Sequence, residues 1–262
     1  MSARHGGQLL VDQLVIHGAD LAFTVPGESF LAALDGFYTV RDKLKLVVCR
    51  HESAAANMAE AYGKLTNRPG LCFVTRGPGA TQASVGVHTA FQDSTPMILF
   101  IGDVGGDFRD REAFQEVDFT AMFRPLAKWV ERIDDVDRIP EYVARAYQIA
   151  TSGRRGPVVL ALPEDMLSRG TNATDAKPYV PSEPHPGREA MEHFTRLLAS
   201  AKTPLVILGG GPWTRESCND MQRFIEANAL PCACAFRYQD LFDNRHANYV
   251  GDVGIGINPV LA

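Results

Sequence analysis

The stretch KLVVCRHESAAANMAEAYGKLTNRPGLCFVTRGPGAT, residues 45–81, decides the fold of this chain. It contains two apolar runs, residues 46–49 and 71–74. The first run leads to Glu52 and an alanine-rich helical pattern, and the second leads to a turn that contains Gly77 and Gly79. In parallel α/β sheets, ligands bind at the carboxyl ends of the strands. We therefore expect two strands that end side by side, with Glu52 and the glycine turn at a ligand site.

Strand and helix patterns alternate on both sides of this stretch. Further strand patterns lie at residues 21–25, 97–101, 127–133 and 157–162, and helical patterns lie at residues 7–17, 29–38, 53–65, 80–91 and 139–151. Alternation at this spacing is typical of βαβ units. The sequence therefore predicts an α/β fold over residues 1–165, with an open, mainly parallel sheet and helices on both faces.

A proline-rich segment follows this domain. Residues 163–188 contain five prolines and little apolar periodicity, which suits a semi-rigid linker at residues 166–188. Beyond it, strand patterns at 205–208 and 232–236 and helical patterns at 189–198 and 216–228 predict the first part of a second, Rossmann-like α/β domain, residues 189–262. Two strands are too few for a stable sheet. We therefore expect the sequence to end inside a domain.

Composition and charge narrow the class of function. The 262 residues carry a formal net charge of −5, and no Lys/Arg-rich run marks a nucleic-acid-binding surface. No apolar stretch reaches the ~18–20 residues that span a bilayer, and the N-terminal sequence lacks the apolar centre of a secretory signal. The five cysteines form no CxxC pair, so we expect neither zinc nor a disulfide scaffold, and we expect Cys49 and Cys72 to be buried thiols. A cytoplasmic protein is predicted, without nucleic-acid or membrane partners.

Several motifs also have an ordinary structural interpretation. A glutamate at a strand–helix junction also suits the helix dipole, so Glu52 need not be catalytic on that ground alone. The zinc-protease motif HExxH fails because position 55 is Ala55, and GxGxxG fails after Gly209 because position 214 is Thr214. His88 fits a core or interface position equally well.

Five segments, taken together, resemble the N-terminal pyrimidine-binding domain of thiamine diphosphate enzymes, and above all the acetolactate synthase group. They read VPGESFLAALDG at 25–36, RHESAAANMAEAYGKLT at 50–66, TRGPGATQ at 75–82, AFQDSTPMI at 90–98 and AFQEVDFTAMFRPLAKW at 113–129. LVILGGG and FDNRHANYVGD resemble the start of that family's middle domain. The resemblance implies the N-terminal part of a 2-keto acid decarboxylase or carboligase.

The resemblance also implies the roles of individual residues. In that family the glutamate that matches Glu52 hydrogen-bonds N1′ of the cofactor's aminopyrimidine, which makes Glu52 the catalytic residue. The implied cofactor-binding residues are Pro26, Gly27, Glu28, Glu52, Thr75, Gly77, Gly79 and Gln82. The implied substrate-channel residues are His88, Gln115 and Lys128.

Cofactors and partners follow from the same resemblance. The family holds the diphosphate and Mg²⁺ of thiamine diphosphate through a C-terminal GDG motif. The pairs Gly102-Asp103 and Gly251-Asp252 do not complete such a motif here. We therefore expect the Mg²⁺ ligands to lie in an absent C-terminal domain, no metal ligands in this chain, and no activity of this chain alone. A small 2-keto acid substrate and a homodimer or homotetramer formed through the pyrimidine-binding domain are implied, while FAD binding stays open.

Departures from the acetolactate synthase pattern leave the substrate open. Glu28-Ser29 stands where that pattern has Gly-Ala, Arg76 where it has Ser, and Gln82 where it has Asn. A benzoylformate or oxalyl-CoA type decarboxylase therefore stays an alternative, whereas glyoxylate carboligases lack the glutamate. A non-catalytic subunit that needs a separate diphosphate-binding chain is the alternative from another class. A nicotinamide dehydrogenase would rest on residues 209–211 alone.

Overall fold

The computed structural model describes residues 4–262, so residues 1–3 of the predicted first domain lie outside the described residues. It divides into a first compact unit that extends to Ser182 and a second unit, Glu183–Ala262. The strands are β1 Arg4–His5, β2 Leu21–Thr24, β3 Lys45–Val48, β4 Gly70–Val74, β5 Met97–Asp103, β6 Trp129–Arg132, β7 Pro157–Pro163, β8 Gly170–Thr171, β9 Val206–Leu208, β10 Cys232–Ala235 and β11 Tyr249–Val253. The α-helices are α1 Gly6–Ile16, α2 Leu31–Thr39, α3 Glu52–Thr66, α4 Gly77–Asp93, α5 Phe119–Phe123, α6 Ile139–Thr151, α7 Glu164–Ser168, α8 Arg188–Ser200 and α9 Arg215–Ala227.

The first unit is built on a parallel sheet with the strand order β3-β2-β4-β5-β7-β6. Strands β4, β5 and β7 are buried at every position, as expected for parallel strands that helices cover on both faces. The predicted open parallel sheet is therefore confirmed. Because all of these strands run the same way, their carboxyl ends share one edge of the sheet, here called the carboxyl edge.

The two faces of this sheet are packed differently. On one face Phe73 stacks on Phe100, with 4.5 Å between ring centroids, and meets Phe37 edge-on at 5.0 Å. On the other face α3 and α4 pack through small residues, since a Cβ added at Gly86 would lie 2.5 Å from the Cβ of Ala56. Both of these helices begin at the carboxyl edge, and their close packing fixes their first residues beside one another.

Residues 170–182, here called the strap, close the first unit. Strand β8 at the start of the strap pairs antiparallel with β1. Arg4 donates to Asp175 at 2.8 Å, and the backbone N–H of Tyr179 donates to Nδ1 of His17 at 3.1 Å. This part of the proline-rich segment therefore packs on the unit that precedes it.

The second unit contains a three-stranded parallel sheet with the order β11-β10-β9. The sequence predicted two strands in this unit, and that prediction is wrong, because a third strand, β11, forms at Tyr249–Val253. Gly251 and Asp252 interrupt its apolar pattern, and the strand depends on pairing with β10.

Cys72 in the first unit is buried as predicted, but Cys49 is only half-buried because it follows the edge strand β3.

Over residues 4–262, none of the helices combines the length and the hydropathy needed to cross a bilayer.

Candidate active site

Glu52 is the first residue of α3 and lies just beyond strand β3, at the carboxyl edge. His51 caps this helix, because its Nδ1 accepts a hydrogen bond from the backbone N–H of Ser53 at 3.2 Å. The carboxylate of Glu52 is half-buried and sits at the positive end of the helix dipole. The cap and the dipole thus hold an acceptor group at the rim of the sheet.

The first turn of α4 faces this carboxylate. Gly77 has φ of +27°, a backbone conformation that favours glycine, and Pro78 occupies the first turn of the helix. A Cβ added at Gly79 would lie 2.9 Å from Cγ2 of Thr75 and 3.5 Å from Oε1 of Glu52. The space at Gly79 therefore borders both the turn and the carboxylate. The expectation that the strands before Glu52 and before the glycine turn end side by side is wrong, because β2 lies between β3 and β4.

The loop after β2 completes this surface. A Cβ added at Gly27 would lie 2.5 Å from Cβ of Thr75, and the hydroxyls of Ser29 and Thr75 are 2.8 Å apart. A Cβ added at Gly102, in β5, would lie 2.2 Å from Oγ of Ser29. The loop that begins at Pro26 therefore lies directly on the ends of β4 and β5. The name glycine cradle is used here for five residues at this edge: Gly27, Glu52, Thr75, Gly77 and Gly79.

Arg76 lies inside the turn and binds two carboxylates. Its Nη2 donates to Oε1 of Glu28 at 2.7 Å, and its Nη1 donates to Oε2 of Glu164 at 3.2 Å. The side chain of Arg76 is 9% exposed, against 72% for Glu28 and 43% for Glu164. Neither Arg76 nor Glu164 is among the site residues predicted from the sequence. One sequence pattern could have indicated them. Glu28, Arg76 and Glu164 are charged, and each follows shortly after a strand of the same parallel sheet.

The other predicted site residues lie at varied distances from the cradle. Gln115 is close, since a Cβ added at Gly77 would lie 2.7 Å from its carbonyl oxygen. Gln82 is exposed in the second turn of α4. His88 is exposed further along the same helix, about 16 Å from Gly77 at roughly 1.5 Å per residue. The structure therefore brings Gln115 to the cradle but not His88.

Lys128 lies at the opposite edge of the sheet. It directly precedes β6, so it stands at the amino end of a strand that is parallel to β7. Its Nζ donates to the carbonyl oxygens of Ile149 and, at 2.8 Å, Ser152, at the carboxyl end of α6. Burial lowers the pKa of this amine. The structure thus gives Lys128 a helix-capping contact and does not bring it to Glu52.

A second polar cluster at the carboxyl edge surrounds Asp103, the last residue of β5. Its Oδ1 accepts from the backbone N–H of Val104 at 2.8 Å, and its Oδ2 is 3.3 Å from Nε of Arg132. Burial raises the pKa of Asp103, and Arg132 opposes that shift. Among residues 4–262, no group of three or more His, Cys, Asp or Glu side chains is arranged to hold a metal ion.

Comparisons with known proteins agree with this geometry. The family described as "Thiamine pyrophosphate enzyme, N-terminal TPP binding domain" matches residues 4–122. The family described as "Thiamine pyrophosphate enzyme, central domain" matches residues 191–261.

Acetolactate synthases are among the relatives. Acetolactate synthase isozyme 3 large subunit of Escherichia coli K12 is 32% identical over 267 residues, which cover 97% of this chain and 45% of that protein. The acetolactate synthase large subunit of Parasynechococcus marenigrum is 33% identical over 95% of this chain and 42% of its own length. This chain therefore spans less than half the length of these curated relatives. On these matches and on the geometry of its first unit, the chain belongs to the thiamine pyrophosphate enzyme family and contains the family's N-terminal TPP binding domain and central-domain sequence.

Proposed function

We propose that the glycine cradle receives the aminopyrimidine of thiamine diphosphate in an enzyme that decarboxylates or ligates a small 2-keto acid, as acetolactate synthases do. The observation that carries the proposal is the position of Oε1 of Glu52, which faces the space above Gly79. A half-buried carboxylate beside backbone that lacks side chains fits a flat, nitrogen-containing ring. The names of the relatives support the acetolactate synthase-like reaction.

The residues of the cradle fit that group. Cβ atoms at Gly27 or Gly79 would lie within 3 Å of Thr75, so glycine at both positions lets the loop and the turn pack closely and leaves no side chain beside Glu52. Glu52 shares a proton with a ring nitrogen, which is the acid–base role that a positioned carboxylate performs. When bound, thiamine diphosphate supplies the electron sink for decarboxylation, and the protein binds and orients it.

We further propose that the diphosphate and Mg²⁺ contact parts of the full-length protein outside residues 4–262, since the relatives are more than twice as long as the matched region. The enzyme would work as a homodimer or homotetramer in which the glycine cradle of each copy faces a neighbouring copy. Its five cysteines are free thiols, which suits a reducing compartment such as the cytoplasm.

The test replaces Glu52 by glutamine in the full-length protein. Exchange of the cofactor's C2 proton, followed by NMR, should slow by about 10²–10⁴-fold, the usual size of an acid–base contribution. Glu141→Gln is the matched control, because Glu141 is also in the first turn of a helix but is paired with Arg138 on the surface. An unchanged exchange rate in Glu52→Gln with bound cofactor would refute the role of Glu52. Absence of cofactor binding by the wild-type protein would refute the proposed function itself.

A further inference from the structure

Arg76 joins three segments that follow different strands. Glu28 lies in the loop after β2, Arg76 in the turn after β4, and Glu164 in α7 directly after β7. The contacts of 2.7 and 3.2 Å therefore span the carboxyl edge from β2 to β7. These three residues are here called the arginine clamp.

The burial in the clamp is one-sided. Arg76 is buried, whereas Glu28 and Glu164 reach it from solvent with 72% and 43% of their side chains exposed. Because both carboxylates keep much of their contact with water, we expect the two ion pairs to contribute only modestly to global stability. The Nε of Arg76 is buried without a hydrogen-bond partner among residues 4–262, so its two Nη groups make its polar contacts. What the clamp fixes is therefore the position of the segments that it joins.

Of the joined segments, the loop of residues 26–30 depends most on the clamp for its position. Its 3₁₀ turn is closed by the backbone N–H of Leu31, which donates to the carbonyl oxygen of Glu28. Its contact with the cradle is tight, because Gly27 and Ser29 both lie against Thr75. A small displacement of the Glu28 end of this loop would therefore change the width of the cradle at Gly27.

We propose that Arg76 is a positioning residue that, through Glu28 and Glu164, holds the loop of residues 26–30 against the glycine cradle. The part of this inference that concerns the cofactor rests on the proposed function, whereas the part that concerns the loop does not. The prediction is a local one: loss of the clamp loosens the loop and leaves the rest of the first unit unchanged.

The test is hydrogen–deuterium exchange of the full-length protein without cofactor, read on peptides that cover residues 27–31. Arg76→Gln should speed exchange there by roughly tenfold, within the range expected for coupled residues of one ion-pair network. Glu28→Gln should speed it by a similar factor, and the double variant should add little. Arg76→Lys should restore part of the protection. Arg138→Gln, which removes an exposed ion pair with Glu141 at 2.8 Å, is the control and should leave these peptides unchanged.

Two measurements separate positioning from general support of the fold. A positioning role confines the faster exchange to residues 27–31 and weakens thiamine diphosphate binding about tenfold with little change in the thermal midpoint. Faster exchange throughout the sheet, or exchange at residues 27–31 equal to wild type in both Arg76→Gln and Glu28→Gln, would overturn the proposal. If Arg76→Gln does not fold, Glu28→Gln decides, because it keeps Arg76 paired with Glu164. If the wild-type protein binds no cofactor, the proposed function fails while the exchange data still decide the clamp.

Discussion

Replacing Gly79 by alanine measures how closely the glycine cradle fits its ligand. The added Cβ would lie 2.9 Å from Cγ2 of Thr75, which is roughly 0.6–1.1 Å shorter than the best packing distance of two carbon atoms. It would also stand 3.5 Å from Oε1 of Glu52, inside the space assigned to the ring. The turn must therefore move, and overpacking of this kind costs about 1–3 kcal/mol.

The expected result for Gly79→Ala in the full-length protein is thiamine diphosphate binding at least about tenfold weaker by calorimetry, with turnover down by about 100-fold for a displacement near 1 Å. Gly106→Ala is the neutral control, because its Cβ would have no neighbour closer than 3.6 Å. Gly63→Ala is the control for stability alone, because its Cβ would lie 2.2 Å from the carbonyl oxygen of Pro96, in the packing of α3 rather than in the cradle. Wild-type affinity in Gly79→Ala would show that the cofactor lies elsewhere.

Two further predictions concern pH. Burial lowers the pKa of His17 below 6.5. The Nδ1 atom of His17 must be unprotonated to accept the hydrogen bond from the backbone N–H of Tyr179. The stability that His17 contributes is therefore complete above pH 6.5 and is lost as the pH falls below that value. The thermal midpoint should drop less between pH 7 and pH 5 in His17→Asn, and an equal drop would contradict this reasoning. Burial raises the pKa of Glu60 above 4.5, although Thr95 donates to it at 3.0 Å, so its stabilising contribution is complete below pH 4.5 and lost as the pH rises through the raised pKa. Glu60→Gln should therefore raise the thermal midpoint at pH 7 by roughly 2–4 °C, for a gain near 1 kcal/mol, and should change it little at pH 4; no gain at pH 7 would count against a charged, buried Glu60.

The order of strands and helices in the first unit could be predicted because its central strands, β4, β5 and β7, are buried on both faces. Such strands appear in sequence as continuous apolar runs, like residues 97–101, and the helices between them keep a clear period. Strand β11 could not be predicted in the same way. Its five residues include Gly251 and Asp252, and its extended conformation depends on hydrogen bonds with β10, a partner that local pattern does not reveal.

The sequence could predict only those site residues whose position follows from the end of a strand. Glu52 and Gly79 each follow a strand of one parallel sheet, so chain direction predicted that both lie at the carboxyl edge. Their proximity also depends on the packing of α3 on α4, because β2 lies between their strands. The arginine clamp depends on the order of strands across the sheet, since Glu164 follows β7, two positions from β4. Lys128 illustrates the reverse case, because a residue that directly precedes a parallel strand lies at the edge away from the site.

The strap has a consequence for how this first unit can be used as a part. Because Arg4 pairs with Thr171 and also reaches Asp175, the first described strand of the unit lies beside the strap near the end of the unit. A unit of this kind can be inserted into another protein, exchanged between relatives, or circularly permuted with a short connector, without stretching its sheet. We therefore expect the pairing of β1 with β8 to let this unit tolerate a change in the segments attached to it.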